Sequence, residues 1–124
     1  MAPRIKVWHF GPGETRDLAV SMASELDSAA SMTGETPTVT GFTGNEDDGY
    51  TVDATFTFAN KQVNTGALTT ASGETIAIGE GIEFRCTAPT TRGTYVILSE
   101  CDADDGTHVM RYDVLVVSGP PTQV

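Results

Sequence analysis

Apolar and polar residues alternate through the last third of the chain, residues 81–117. Apolar side chains occupy every second position of 82–87, a period of two that indicates a half-buried strand. Further β-rich runs over 93–102 and 108–117 predict two more strands. The Asp105-Gly106 pair between them predicts a tight hairpin with a type I′ turn, which needs positive φ at both central residues. The chain is therefore expected to end in three consecutive strands.

The same alternation predicts strands upstream, over 4–10, 16–22, 36–42 and 50–58, with weaker ones over 61–68 and 74–78. In 50–58 the side chains of Val52, Ala54, Phe56 and Phe58 would share one face. One helical turn could form within 23–30, and the composition of 44–49 is that of an exposed loop. Turn signals every eight to twelve residues favour a sandwich over βαβ units. We predict an all-β fold, an immunoglobulin-like antiparallel β-sandwich of about seven to nine strands.

The length of 124 residues provides for one domain and one core. We predict a single domain over residues 1–117, with 1–10 as an edge or arm strand. Residues 118–124 contain two prolines that cannot extend a sheet, and they are expected to form a flexible tail that could lie along a neighbour.

The net charge of −10 comes from 17 acidic and 7 basic residues. Binding to nucleic acid or to anionic lipid needs clustered Lys and Arg, so both are disfavoured. The beginning of the chain has no apolar run resembling a signal peptide, and no segment approaches membrane-spanning length. Folding in a cytoplasm is therefore expected, with the acidity providing solubility.

Two cysteines fall at inward-facing strand positions. If 82–87 and 93–102 pair as antiparallel neighbours, Cys86 lies level with about Tyr95, and Cys101 lies roughly 20 Å further along. A disulfide requires Cα atoms within about 7 Å. We therefore expect buried thiols that serve as small apolar residues, with a disulfide as the alternative.

Candidate chemistry is sparse. Asp102, Asp104 and Asp105 are candidate calcium ligands, as is the acidic run 45–49, but the register of a calcium loop is missing and solvated turns are the favoured interpretation. No metal and no cofactor is therefore predicted. The chain also lacks a nucleophile elbow, a phosphate-binding glycine loop and histidines at ligand spacing. A protein that is not an enzyme is expected.

Aromatic residues provide the remaining candidates. On an N-terminal strand Trp8 is more often a core or sheet-covering residue, but Trp8 and Phe10 could instead form an apolar contact surface for a partner or a platform for a sugar. Tyr95 opens a strand just after a loop, where a tyrosine corner returns its hydroxyl to the backbone. Gly106 is assigned a structural role in the hairpin turn.

Several segments resemble one family. The sequences GIEFRC at 81–86, RGTYVI at 92–97, DDG at 104–106 and MRYDVLVV at 110–117 resemble the C-terminal half of small immunoglobulin-like virion proteins of tailed bacteriophages. The sequence PGETRDL at 12–18 is similar to the turn before their second strand. These proteins are often described as fiber-to-tail adaptors. The resemblance implies a non-enzymatic, tail-associated structural protein that links tail and fibers.

The implied partners are other virion proteins in a symmetric, multi-copy assembly, with no nucleic acid and no membrane, and the implied location is a virion assembled in the host bacterial cytoplasm. A capsid decoration protein is the nearest alternative. A carbohydrate-binding immunoglobulin-like module is an alternative of a different class, based mainly on Trp8, His9 and the aspartate loops.

Overall fold

The computed structural model describes residues 6–26, 30–33, 36–45, 47–70 and 73–118. Within these ranges the chain forms strands and turns and no helix, so no helical membrane span is found there. The ten strands are β1 (Val7–Phe10), β2 (Thr15–Ser21), β3 (Thr38–Asn45), β4 (Gly49–Val52), β5 (Thr57–Val63), β6 (Leu68–Thr69), β7 (Thr75–Ile76), β8 (Gly81–Thr87), β9 (Gly93–Asp102) and β10 (His108–Val117).

The strands form two main sheets and a small hairpin. A five-stranded sheet has the order β1-β10-β9-β3-β4, a three-stranded sheet has the order β2-β8-β5, and β6 pairs with β7. Side chains from both main sheets contribute to one buried cluster. The all-β prediction is confirmed, and the arrangement is consistent with a β-sandwich. The five-stranded sheet is mixed, because β1 runs parallel to β10, so the predicted antiparallel arrangement holds for the other strand pairs and was wrong for β1.

A chain of aromatic rings passes through the core. Trp8 meets Phe84 edge to face at 6.4 Å between centroids, and Phe84 meets Phe58 at 5.7 Å. Phe58 stacks on Phe56 at 5.3 Å, and Phe56 meets Tyr95 edge to face at 5.4 Å. Offset and edge-to-face pairs of this kind add to the stability gained from burial. The rings therefore link β1 and β9 of one sheet to β5 and β8 of the other.

A buried ion pair also connects the two sheets. Arg111 and Asp113 point inward from β10, with Arg111 Nε 3.1 Å from Asp113 Oδ1. Arg111 Nη1 donates to the carbonyl of Ser21 at 2.6 Å, and the backbone N–H of Lys6 donates to Asp113 Oδ1 at 2.8 Å. Burial raises the pKa of Asp113 against the opposing influence of these donors. The pair ties β2 and the segment entering β1 to the centre of the molecule.

The predicted pairing of 82–87 with 93–102 was wrong. β8 lies between β2 and β5, whereas β9 lies between β10 and β3. The connection between them crosses from one sheet to the other, and it is held by Gly13 N–H donating to Pro89 O and Ala88 N–H donating to Glu14 O. The expectation for the cysteines is nevertheless confirmed, because Cys86 and Cys101 are both buried and neither forms a disulfide.

The predicted strand 50–58 is two strands that belong to different sheets. The carboxylate of Asp53 accepts hydrogen bonds from the N–H and the hydroxyl of Thr55, and this local turn competes with an extended chain. As a result Val52 lies exposed on β4 while Phe56 enters the core, so the prediction that they share a face was wrong. The divided strand and the two-residue strands β6 and β7 bring the count to ten.

The last hairpin forms as predicted, but its turn differs. Gly106 has φ +89°, and Asn60 is the one non-glycine residue in the described chain with positive φ, so Asp105 does not adopt the type I′ conformation. Gly106 N–H donates to Ala103 O, and Ala103 N–H donates to Thr107 O. These bonds define a three-residue loop in which a left-handed glycine follows the turn.

Three other expectations concern the connections. Residues 22–26 make one turn, in which Leu26 N–H donates to Met22 O, and 27–29 lie outside the described residues. Of the predicted loop 44–49, positions 44, 45 and 49 belong to β3 and β4, which pair up to Asn45 opposite Gly49, while 47–48 form the turn and 46 lies outside the described residues. The predicted tail begins at Ser118, whose N–H donates to Phe10 O, and 119–124 lie outside the described residues.

Candidate interaction face

The two predicted partner-binding aromatics point into the molecule. Phe10 is 1% exposed and lies in the core, so its ring is not available to a partner in this structure. The guanidinium of Arg16 covers that ring, with Cζ 3.9 Å from its centroid. Trp8 lies on the same side of β1, half-buried against Phe84. The outward positions of β1 are instead Val7 and His9.

Trp8 also lines a cleft of about 590 Å³ between β1, β2 and the β6–β7 hairpin. Lys6, Asp17 and Glu83 bring charge to the cleft, and Leu68 adds apolar surface. The hairpin is held beside β1 by an ion pair of 3.0 Å between Lys6 Nζ and Glu74 Oε1. The cleft thus combines one aromatic edge with a few polar groups.

The three candidate calcium ligands do not converge. Asp102 Oδ1 lies 2.7 Å from His108 Nδ1, and Asp104 Oδ1 accepts the Ser31 N–H at 3.1 Å. Asp105 Oδ1 accepts both the N–H and the hydroxyl of Thr107 within its own turn. Among the described residues no three His, Cys, Asp or Glu side chains are placed to hold a metal ion. Asp102 is thus paired with His108, Asp104 is bonded to the distant Ser31 backbone, and Asp105 is used within its own turn.

The two residues assigned structural roles lie at opposite ends of β9. Tyr95 is buried, and its hydroxyl donates to the Thr91 carbonyl at 2.6 Å, which is the backbone contact expected of a tyrosine corner. Gly106 lies in the hairpin turn after β9, with a positive φ that favours glycine.

The outer face of the five-stranded sheet carries an uninterrupted apolar row. The register places Val114 opposite Val96 and Val96 opposite Phe42. The row continues to Val52 on one edge strand and to Val7 on the other. These two terminal valines are 60% and 52% exposed. One apolar side chain from each of the five strands therefore meets solvent along a single line, which we call the valine row.

A second apolar line borders the valine row. Tyr112, 52% exposed, lies opposite Leu98, which its neighbours bury almost completely although it faces outward. Met110 on β10 and Tyr50 on β4 extend the patch in opposite directions, and both are exposed. Contiguous exposed apolar surface of this kind marks interaction sites more often than scattered apolar residues do. We call the valine row together with these four residues the outer apolar face.

Ionisable groups border the outer apolar face at one end. His108 contacts two carboxylates, Asp102 through Nδ1 at 2.7 Å and Glu100 through Nε2 at 3.1 Å. The hydrogen bonds to Asp102 and then to Glu100 raise the pKa of His108 above its ordinary value. When protonated, the imidazolium offsets part of the acidic charge, whereas the valine row itself contains no titratable side chain.

The sequence did not predict this face, because the partner-binding candidates were the aromatic residues Trp8 and Phe10 on β1. The available signal was the pair of unbroken apolar runs, 96–98 on β9 and 114–117 on β10. In a strand with one solvent-exposed face, apolar and polar residues alternate. An unbroken apolar run indicates a strand with apolar side chains on both faces. Which residues point outward became clear only from the register between strands.

The buried thiol of Cys86 has little nucleophilic reactivity, although the charge of Arg16 acts on it. Burial raises the pKa of Cys86 to about 12, and the charge of Arg16 lowers it only in part. The nucleophile in cysteine chemistry is the thiolate, so this group stays protonated and inert near neutral pH.

The comparisons with known proteins return no relative: no protein-family model, no curated protein and no solved structure matches the chain.

Proposed function

We propose that this chain is a non-enzymatic structural protein of a tailed-bacteriophage virion, a tail-associated adaptor that links tail and fibers through protein–protein contacts. The outer apolar face is the observation that carries the proposal. A strongly acidic chain that nevertheless exposes an apolar line across five strands is suited to a surface that another protein covers.

The proposal includes an immunoglobulin-like connectivity. Immunoglobulin domains place strands B, E and D in one sheet and C, F and G in the other, with C′ added beside C. The orders β2-β8-β5 and β10-β9-β3-β4 correspond to B-E-D and G-F-C-C′. In this assignment β1 is an additional edge strand beside G, and the β6–β7 hairpin is an insertion between D and E.

The segments that resemble phage virion proteins support the same proposal. The GTY sequence at 93–95 opens β9, and its tyrosine makes the bond to Thr91 O. The DDG sequence at 104–106 forms the turn into β10. These segments open β9 and connect it to β10, two neighbouring strands of the outer apolar face.

Quantitative mass spectrometry of purified particles from the phage that encodes the chain tests the proposal. We expect the chain to be present at a copy number comparable with that of tail proteins, and a labelled fusion to locate at the tail in electron micrographs. A copy number comparable with that of the major capsid protein would support the decoration alternative instead. Absence from washed, infectious particles would overturn the virion proposal.

The cleft beside Trp8 favours one second candidate, a carbohydrate-binding module. Sugar-binding clefts combine an aromatic side chain with a few polar groups, and Lys6, Asp17 and Glu83 supply such groups here. This function predicts glycan binding that Trp8→Ala abolishes and that Tyr112→Ala, on the outer apolar face, leaves unchanged. A glycan array and calorimetric titration that detect no binding by the intact chain would eliminate it.

A further inference from the structure

We propose that the outer apolar face binds the same face of a second copy of this chain, forming a dimer with a twofold axis along the valine row. The inference rests on the proposed function and names one partner for the face that carries it. Three properties of the face support a second copy as the occupant: its dimensions, the distribution of charge around it and its symmetry.

The dimensions of the face are sufficient for a weak dimer. Across three rows, each edge strand contributes two outward positions and each of the three inner strands contributes three, about 13 in all. At about 4.8 Å between strands and about 6.7 Å between rows, they cover about 420 Å² on each copy, or about 830 Å² for two copies. This total falls among weak, transient interfaces, which bury less than about 1,200 Å². We therefore expect a dissociation constant in the micromolar range.

The charge distribution allows two acidic copies to meet there. The chain has a net charge of −10, so most of its surface opposes self-association. The valine row and its neighbour Tyr112 carry no charge near neutral pH, and the carboxylates of Glu100 and Asp102 lie at one end of the face. Of the surfaces described, this is one where two copies can approach without burying like charges.

A twofold axis along the valine row brings each of its apolar side chains against the same side chain of the second copy. The valine row is centred on β9, the middle strand, and ends in a valine on each edge strand. An axis along the row places Val96 against Val96 of the second copy and brings Tyr112 toward Val116 of the second copy. The same axis sends the two Glu100 side chains to opposite ends of the interface. Isologous contacts of this type are the commonest in homo-oligomers.

Sedimentation velocity of the full chain over a wide concentration range tests the inference. We expect a monomer at about 1 μM and predominantly dimer at about 500 μM. Tyr112→Lys, at an exposed position, should weaken dimerisation at least tenfold without affecting folding, and Val96→Lys should abolish it. Ile78→Lys is the matched control, because Ile78 is 62% exposed and lies outside the outer apolar face.

A second measurement locates the contact. Val96→Cys should be joined to its counterpart by a short bis-maleimide across the axis, while the wild-type chain, whose two cysteines are buried, should not react. A chain that stays monomeric throughout, or a dimer that tolerates both lysine variants, would overturn the inference. A monomeric chain that is still found in particles would leave the virion proposal standing and assign the face to another virion protein.

Discussion

Tyr95 shows how one side chain holds a loop to the strand that follows it. Its hydroxyl donates to Thr91 O at 2.6 Å, and its ring closes the aromatic chain against Phe56. The sequence was sufficient to predict this backbone contact, because the residues that form it are four positions apart. Local relations of this kind are the ones that a sequence specifies most directly.

Tyr95→Phe removes the hydroxyl and leaves the ring in place. We expect the free energy of unfolding to fall by about 1 kcal/mol, since the Thr91 carbonyl loses its donor. Urea denaturation measures the change. Tyr112→Phe is the control and should be neutral, because that phenol is exposed on the outer apolar face. Equal losses in the two variants would contradict the role assigned to the Tyr95 hydroxyl.

Asn60 has φ +55° in β5, between the two registers with which β5 pairs to β8. A left-handed conformation costs most L-residues roughly 1 kcal/mol or more, and Asn tolerates it better than a β-branched residue. Asn60→Gly should therefore keep or slightly raise the thermal midpoint, whereas Asn60→Val should destabilise the protein by about 1–2 kcal/mol. Differential scanning calorimetry distinguishes these outcomes, and equal stability of the two variants would refute the strained conformation.

Gly41 determines how closely β3 approaches the turn before β5. A Cβ at this position would lie 2.3 Å from the ring of Phe56, which is packed between Phe58 and Tyr95. The sequence placed Gly41 in a strand. It did not predict the contact with Phe56, because Phe56 was assigned to the single long strand 50–58.

Gly41→Ala should therefore lower the free energy of unfolding by about 1–3 kcal/mol, because the ring stack has to move. Gly66→Ala is the matched control, since a Cβ there would meet nothing within 4 Å. Chemical denaturation of the two variants side by side gives the comparison. A Gly41→Ala protein as stable as wild type would show that Phe56 moves aside without cost.

The β9–β10 hairpin is expected to respond to pH through His108. Its contacts with Asp102 and Glu100 raise the pKa in the folded chain above the ordinary value of about 6.5. The resulting stabilisation is complete below about pH 6.5 and is lost as pH rises through the folded-state pKa. An NMR titration should show the raised pKa, and Asp102→Asn should lower it. Asp104→Asn, whose carboxylate accepts from Ser31, should leave the titration unchanged.

The elements themselves were largely predictable, and their partners were not. Alternation located β2, β8, β9 and β10 to within about two residues, because one face of each strand packs into the core. The assignment of β8 to one sheet and β9 to the other depends on a connection held by the distant turn around Gly13. The outer apolar face depends in turn on that pairing, so no local pattern could outline it.

The net charge of the chain and the proposed self-contact have opposite effects on association. Each copy carries a charge of −10, whereas the central contact is apolar. Raising sodium chloride from about 0.02 M to about 0.5 M shortens the screening length from roughly 20 Å to roughly 4 Å. We therefore expect the dissociation constant of the dimer to fall several-fold, as measured by sedimentation at each salt concentration. Weaker association at high salt would indicate that attractive ion pairs hold the two copies instead.

Arg16 protects two edge strands against pairing with other chains. Its guanidinium covers Phe10, its Nη2 donates to the carbonyl of His9, and its Nε lies 2.8 Å from Glu14 Oε2. The Arg16 side chain thus uses a backbone carbonyl of β1 as its hydrogen-bond acceptor. It also places a positive charge between β1 and β2, each of which is an edge strand of one main sheet. Strand edges guarded by inward-pointing charges resist adding strands from other chains. Fibril growth in concentrated solution is accordingly not expected to start from the β1 and β2 edges.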